Sequence, residues 1–329
     1  MKLSEIISKL EKKFPKQNAE SWDNVGLLVG RKENEIKKIQ ISLDVTMKVI
    51  DEAIKNKVDL IISHHPIIFF SIKEINSDSL IGKKILKLIE NKISVYSLHT
   101  NLDSSNFGLN DLVGKKLGFK NGKILDEIKE NLYKGEIYTQ KNITEEFEKE
   151  NIKYKIEKME IGYRFIFISR KEKIYNFIEK LKRKLLIDES YISELENKYS
   201  EKGIGRIYTL EKKENLYDII KNIKEKLSIN NLKISGYNLE DAKVKKIAVI
   251  NGAGSSYWKR AKRMGVELLI TGDLKYHEAL DAQEEGMYII DVGHYESEHF
   301  FNMIIVEILK EVLGIECYTF NDEPAMKYI

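Results

Sequence analysis

The stretch Asp59-Leu60-Ile61-Ile62-Ser63-His64-His65-Pro66 decides how this chain is read. Val58 to Ile62 is a short apolar run closed by a proline, the pattern of a parallel strand buried on both faces. Proline after His65 cannot continue a ladder and turns the chain away. α/β proteins keep their chemistry at the carboxyl ends of such strands. Two imidazoles stand at this end, and imidazole is the commonest metal donor. The competing explanation is a solvated turn with two ordinary histidines, and the surrounding chain decides between them.

On the amino-terminal side, residues 3–14 read as a helix with Leu3, Ile6, Ile7 and Leu10 on one face. Asp23-Asn24 before Val25-Gly26 is loop chemistry, followed by a strand to Val29. Lys38 to Asp44 is a strand, and Thr46 reads as the N-cap of a helix through Ile54. On the carboxyl side, residues 67–79 form an irregular loop that opens with Ile67-Ile68-Phe69-Phe70 and can cover a site. A helix near 80–91 precedes a strand, 93–98, that ends in His99-Thr100-Asn101-Leu102-Asp103; a helix over 108–117 follows.

A second copy of this unit stands near the other end of the chain. Lys37-Lys38-Ile39-Gln40-Ile41 matches Lys245-Lys246-Ile247-Ala248-Val249, and Val58 to Ser63 matches Val266 to Thr271. The spacing is the same in both: 58 − 38 = 20 and 266 − 246 = 20. Third strands then end at His99 and at His294, each with a carboxylate four residues on, Asp103 and Glu298. Pseudo-two-fold packing of the copies brings equivalent strand ends towards one cleft. The expected fold is therefore α/β, two pseudo-symmetric α/β lobes forming one core over residues 1–124 and 199–329.

Residues 125–198 differ in texture, being rich in Lys, Glu and Tyr and free of histidine. Their pattern reads βαββαβ, with strands at 135–139, 153–160, 163–169 and 191–196 and helices at 144–151 and 173–186. That order predicts an inserted small ferredoxin-like α+β domain.

The 329 residues are 42% hydrophobic and 33% charged, the composition of a globular protein with a sizeable core. A formal net charge of +3, from 55 basic and 52 acidic side chains, argues against a nucleic-acid partner. The single cysteine, Cys317, excludes an intramolecular disulfide and a thiolate metal cluster. Met1 to Ile7 lacks the apolar core of a signal peptide and no run reaches membrane-spanning length, so a cytoplasmic location is expected.

The metal candidates are His64, His65, His99, Asp103, His277, His294 and Glu298, with Asp44 and Asp273 near them in sequence. His294 and Glu298 stand at i and i+4 and share a face if a helix begins there. Imidazole and carboxylate donors without thiolate suit Zn, Fe, Mn, Ni or Co. Adjacent His64 and His65 cannot easily address one ion but can serve two, about 3.5–4 Å apart, with a carboxylate between them. His64, His65, Asp103, His294 and Glu298 form the expected metal set. His99 and His277 are assigned to proton transfer. Asn251-Gly252-Ala253-Gly254 follows a strand as a phosphate cradle does, although a tight turn explains it better.

The chain resembles the Nif-three-like family, also called GTP cyclohydrolase type-2 homologues. The motifs that carry the resemblance are Trp22-Asp23-Asn24-Val25-Gly26-Leu27, Ser63-His64-His65-Pro66, His99 to Asp103, Gly203-Ile204-Gly205-Arg206-Ile207, Thr271-Gly272-Asp273 with Tyr276-His277, and Asp291-Val292-Gly293-His294 with Glu298. The resemblance implies two similar lobes around a dinuclear metal site held by His64, His65, Asp103, His294 and Glu298, with Glu298 as the bridge. It also implies a homohexamer, a dimer of trimers, with the sites facing an internal cavity. Many bacterial members carry an insert resembling PII or CutA domains; Tyr163–Glu196 falls at that place and looks shortened or diverged.

Two functions follow as expectations. One is a metal-dependent hydrolase acting on a nucleotide or similar small molecule, GTP cyclohydrolase-like by resemblance. The other is a non-catalytic ring that senses or chaperones a metal or metabolite.

Overall fold

The computed structural model describes residues 1–128, 132–196, 202–312 and 315–327, and it divides into two compact units, 1–127 with 201–329 and 128–200. The larger unit begins with a helix, Leu3–Lys13, that buries Leu3, Ile6, Ile7 and Leu10. Its first sheet takes β1 (Gly26–Val29), β2 (Lys38–Ser42), β3 (Leu60–Ser63) and β4 (Ser94–Ser97). β2, β3 and β4 run parallel in the order β4-β3-β2, and β1 lies antiparallel against β4. All four residues of β3 and of β4 are buried, as a strand covered on both faces requires. Thr46 caps the Met47–Lys55 helix, its hydroxyl accepting from the Val49 N–H.

The chain then forms β5 (Lys123–Glu127) and enters the smaller unit. There β6 (Leu132–Thr139), β7 (Tyr154–Lys158), β8 (Tyr163–Arg170) and β9 (Glu189–Glu194) make one antiparallel sheet in the order β7-β8-β6-β9. Helices Thr144–Lys149 and Lys171–Arg183 follow β6 and β8. This unit has its own aromatic core: Phe147 stacks on Phe165 at 5.1 Å and meets Phe167 and Phe177 edge-on. Gly135 is required beneath it, because a Cβ there would lie 2.5 Å from the Phe167 ring.

The second sheet of the larger unit holds β10 (Gly203–Asn215), β11 (Lys233–Ser235), β12 (Lys243–Val249), β13 (Leu268–Thr271) and β14 (Tyr288–Asp291), in the order β11-β14-β13-β12-β10-β5. β12, β13 and β14 are parallel. β15 (Glu316–Thr319) returns to the first sheet and pairs parallel with β2. Strand alternation explains how two sheets share one core. Ile39, Ile41, Leu60 and Ile62 of the first sheet and Ile247, Val249, Leu268 and Ile270 of the second face a common cluster. Ile61 and Val95 point to the opposite side of the first sheet, and Ala248, Leu269 and Ile289 to that of the second. Each such Ile, Leu or Val side chain contributes roughly 1.5–3 kcal/mol by leaving water.

Arg206 is the largest fully buried side chain, and it acts as a clasp. Its guanidinium donates to both Asp111 oxygens at 2.7 and 3.0 Å and to the carbonyls of Gly203, Gly205 and Ser105. Every charge-bearing nitrogen is thereby satisfied, which a buried guanidinium demands.

The elements outside the sequence expectations include β5, the Trp258–Arg263 helix, the Phe301–Val312 helix and β15. No helix among the described residues is long and apolar enough to cross a membrane.

Candidate metal centre

Parallel strands put their carboxyl ends on one edge, so β2, β3 and β4 deliver Asp44, His64 with His65, and His99 to the same side of the first sheet. β12, β13 and β14 likewise deliver Asn251, Asp273 and His294. The His294–Glu298 segment is a short helix, and Glu298 at i+4 turns inward with His294. The two edges meet, and histidines from one face carboxylates from the other.

The four histidines share one arrangement. His64 Nδ1 donates to the Leu98 carbonyl at 2.7 Å, His65 Nδ1 to Asp44 at 2.8 Å, His99 Nδ1 to Asp23 at 2.9 Å and His294 Nδ1 to Asp273 at 2.7 Å. Each ring thus has its Nδ1 spent on an oxygen, which fixes its orientation and leaves Nε2 to act. His65 Nε2 and His294 Nε2 both lie 2.9 Å from Glu298 Oε2 and 3.3 Å from each other. His64 Nε2 lies 3.6 Å from Glu298 Oε1 and 3.8 Å from Asp103 Oδ2, buried and without a hydrogen-bond partner. Donors at 2.0–2.1 Å from a tetrahedral ion stand about 3.3 Å apart. The observed separations bracket that value, and an orphaned imidazole lone pair pointed at two carboxylates is a setting that a cation relieves. Two sets, His64 with His65 and His99, and His65 with His294 and Glu298, each gather their donor atoms within 4.8 Å and could hold a metal ion.

Electrostatics follow from the same contacts. Burial opposes charge on His65, but the hydrogen bonds of Asp44 and Glu298 overcome it and push the ring up to about 10. His294, equally opposed by burial, is raised to about 9 by Glu298 and Asp273. His64 is also raised, Asp103 and Glu298 outweighing its burial. Burial would raise Glu298, yet the three surrounding imidazoles hold it well below the usual carboxylate range. Asp103 goes the other way, raised by burial and by the nearby Glu298.

Asn251 is a partner that sequence reasoning missed. Its Nδ2 donates to Asp103 Oδ1 and Glu298 Oε1, both at 3.1 Å, and ties together carboxylates from the two sheets. Its place after a strand within the expected turn was the only signal. Gly252, at φ +61°, is required because a Cβ there would lie 2.1 Å from Glu298 Oε1. The turn is not laid out as a phosphate cradle. The N–H groups of Asn251, Gly252 and Gly254 donate to Asn110, Ser297 and Thr271 side chains.

The structure does not bring His277 into this cluster. It is exposed in the first turn of the Tyr276–Glu284 helix, its ring edge-on to Tyr276 at 5.4 Å. His99 is brought in, its ring 5.2 Å from that of His64 and 5.5 Å from that of His65. His99 and His294 are not equivalent positions, however. Register aligns Ser97 with Asp291, each opposite the last residue of the middle strand, so His99 corresponds to Gly293. The shared offset to a carboxylate four residues on is a sequence coincidence one residue out of step.

The family model described as Duf34/NIF3 (NGG1p interacting factor 3) matches residues 1–324. The chain belongs to this family. Its NIF3 relatives include a Clostridium perfringens protein named GTP cyclohydrolase 1 type 2 homolog, 34% identical over 313 residues, 95% of this chain and 93% of that protein. A Staphylococcus epidermidis protein of the same name is 32% identical over 348 residues, again 95% and 93%. The crystal structure of a Bacillus cereus protein related to NIF3 superposes with a TM-score of 0.83 at 27% identity, covering 100% of this chain and 99% of that one. The mixed α/β fold with several sheets is therefore the NIF3 fold.

Proposed function

We propose that this protein is a dinuclear, metal-dependent hydrolase acting on a nucleotide or similar small molecule, in keeping with the name carried by its relatives. The observation that carries this reading is the set of Nε2 atoms converging on Glu298 and Asp103 while every Nδ1 is tied back. His64, His65, Asp103, His294 and Glu298 would hold two divalent cations of Zn, Fe, Mn, Ni or Co, with Glu298 shared between them. Such a pair lowers the pKa of bound water and stabilises developing negative charge.

The chain's own residues do the rest. Asp44, Asp273 and the Leu98 carbonyl hold their rings in one tautomer. Asn251 keeps Asp103 and Glu298 aligned across the two sheets. His99, backed by Asp23, stands beside His64 and His65, where it can accept and return a proton. Trp22, Phe69 and Tyr257 line a cavity of about 520 Å³ above the cluster and limit its water. We further read the two sheets as two copies of one lobe, the smaller unit as a ferredoxin-like insert, and the working form as a cytoplasmic homohexamer built as a dimer of trimers. A ring that binds metal without turnover is the second reading, favoured by the lack of Lys or Arg among the described cavity residues.

Elemental analysis of purified protein tests the first point, with two metal equivalents per chain expected. A hydrolase panel on metal-loaded protein tests the second. Turnover abolished by His65→Ala supports catalysis; metal binding without any turnover supports the ring.

A further inference from the structure

The cavity above the metal cluster has an unusual wall. Trp22 is 58% exposed and Phe69 41% exposed, although both are large aromatics. Trp22, Phe69 and His99 form a three-ring corner, with centroids 5.8 Å apart for Trp22–Phe69 and 6.2 Å for each ring to His99. Ile204, Ile250 and Tyr257 add further apolar surface to the same cavity. Exposed aromatics at a pocket that size are a stacking platform for a flat molecule.

The charge of the lining is one-sided. Glu20, Asp103 and Glu298 contribute carboxyls, and no Lys or Arg lines the cavity among the described residues. Around the histidines stand Asp23, Asp44, Asp103, Asp273 and Glu298, formally −5. Two divalent cations supply only +4, so even the loaded site offers no surplus positive charge to a phosphate. Glu20 makes no side-chain hydrogen bond among the described residues. Burial and the neighbouring Asp126 and Asp23 raise its pKa. A half-buried carboxyl with no partner is an acceptor waiting for N–H donors.

The geometry points to a planar, N–H-bearing heterocycle without phosphate as the occupant: its face on the Trp22–Phe69 corner, its N–H edge on Glu20, and its reacting atom towards the cluster. This rests on the hydrolase reading for the last clause and narrows it from nucleotides to nucleosides or free bases. The aromatic corner and Glu20 stand whether or not metal is bound.

Guanosine, GMP and GTP carry one heterocycle with increasing negative charge, and their binding to the intact protein tests the assignment. Titrations follow the heat of binding by isothermal calorimetry, which reads the wild-type protein and every variant alike. Each is run on protein of measured metal content and again in EDTA. Guanosine is expected to bind in both states, with GTP at least about tenfold weaker in the loaded protein. Trp22→Ala and Glu20→Gln should each weaken guanosine about fivefold or more, and both sites are exposed enough for the variants to fold. GTP binding as tightly as guanosine, no guanosine binding, or indifference to both substitutions overturns the proposal. Absence of metal with guanosine still bound would instead sink the hydrolase reading alone.

Discussion

The β2-β3-β4 and β12-β13-β14 units share a backbone but not their chemistry. Asp59 Oδ2 accepts from the Lys37 and Lys38 N–H groups, and Glu267 Oε2 accepts from those of Lys245 and Lys246. Ser94 N donates to the Asp59 carbonyl and Tyr288 N to that of Glu267; Leu98 N donates to Ser63 and Val292 N to Thr271. Yet where the first unit has His64 and His65, the second has Gly272 and Asp273. Gly272 has no room for more, since a Cβ would lie 2.9 Å from the Gly252 carbonyl and from the Gly293 and His294 backbone. The two units thus present two strand edges, the paired His64 and His65 on one and His294 with the inward carboxylate Glu298 on the other.

The sharpest way to break this division is Glu298→Gln, which removes the one carboxylate touched by His64, His65 and His294. Metal content should fall to background, and urea unfolding in EDTA should show a loss of roughly 3–5 kcal/mol, the cost of leaving buried charge unpaired. An unchanged metal content would deny Glu298 its central place.

The metal-free protein should also record the arrangement in its pH dependence. His65 and His294 hold protons more tightly folded, at about 10 and about 9, than at the ordinary value of 6.5. Their contribution is complete below about pH 6.5 and is lost as pH rises through 9 and 10. Thermal denaturation in EDTA should therefore show Tm falling across that window. Metal-loaded protein, whose ligands must be deprotonated, should hold its Tm over the same range.

Asp59→Ala and Glu267→Ala test the shared backbone. Each removes an acceptor from two N–H groups, and each should cost about 1–2 kcal/mol, alike within about 0.5 kcal/mol, in urea unfolding. A large inequality would mean that one of the two parallel units bears more of the fold's stability. His277→Ala is the smallest expected effect, within about 0.5 kcal/mol and with metal content unchanged.

Much of this frame was legible in advance because it is local or periodic. The apolar run into His64, the Thr46 cap and the 20-residue spacing each express one physical rule. The helix at Leu3–Lys13 shows the same: its apolar face, Leu3, Ile6, Ile7 and Leu10, is buried. What escaped depends on register or distance. The His99–His294 correspondence slipped by one residue because a sequence offset ignores which backbone groups pair. Asn251 was hidden because its partners, Asp103 and Glu298, lie 148 and 47 residues away. His277 looked like its siblings, but the first turn of its helix faces solvent.

β15 has a consequence for how the molecule comes into being. It lies beside β2, and just beyond it Asn321 accepts from the Leu43 N–H across 278 residues of chain. His65 and Glu298 are likewise 233 residues apart. During synthesis the first sheet keeps an open edge until β15 has been made, and His65 waits for Glu298. A chain lacking β15 would leave β2 with an unpaired edge in the first sheet.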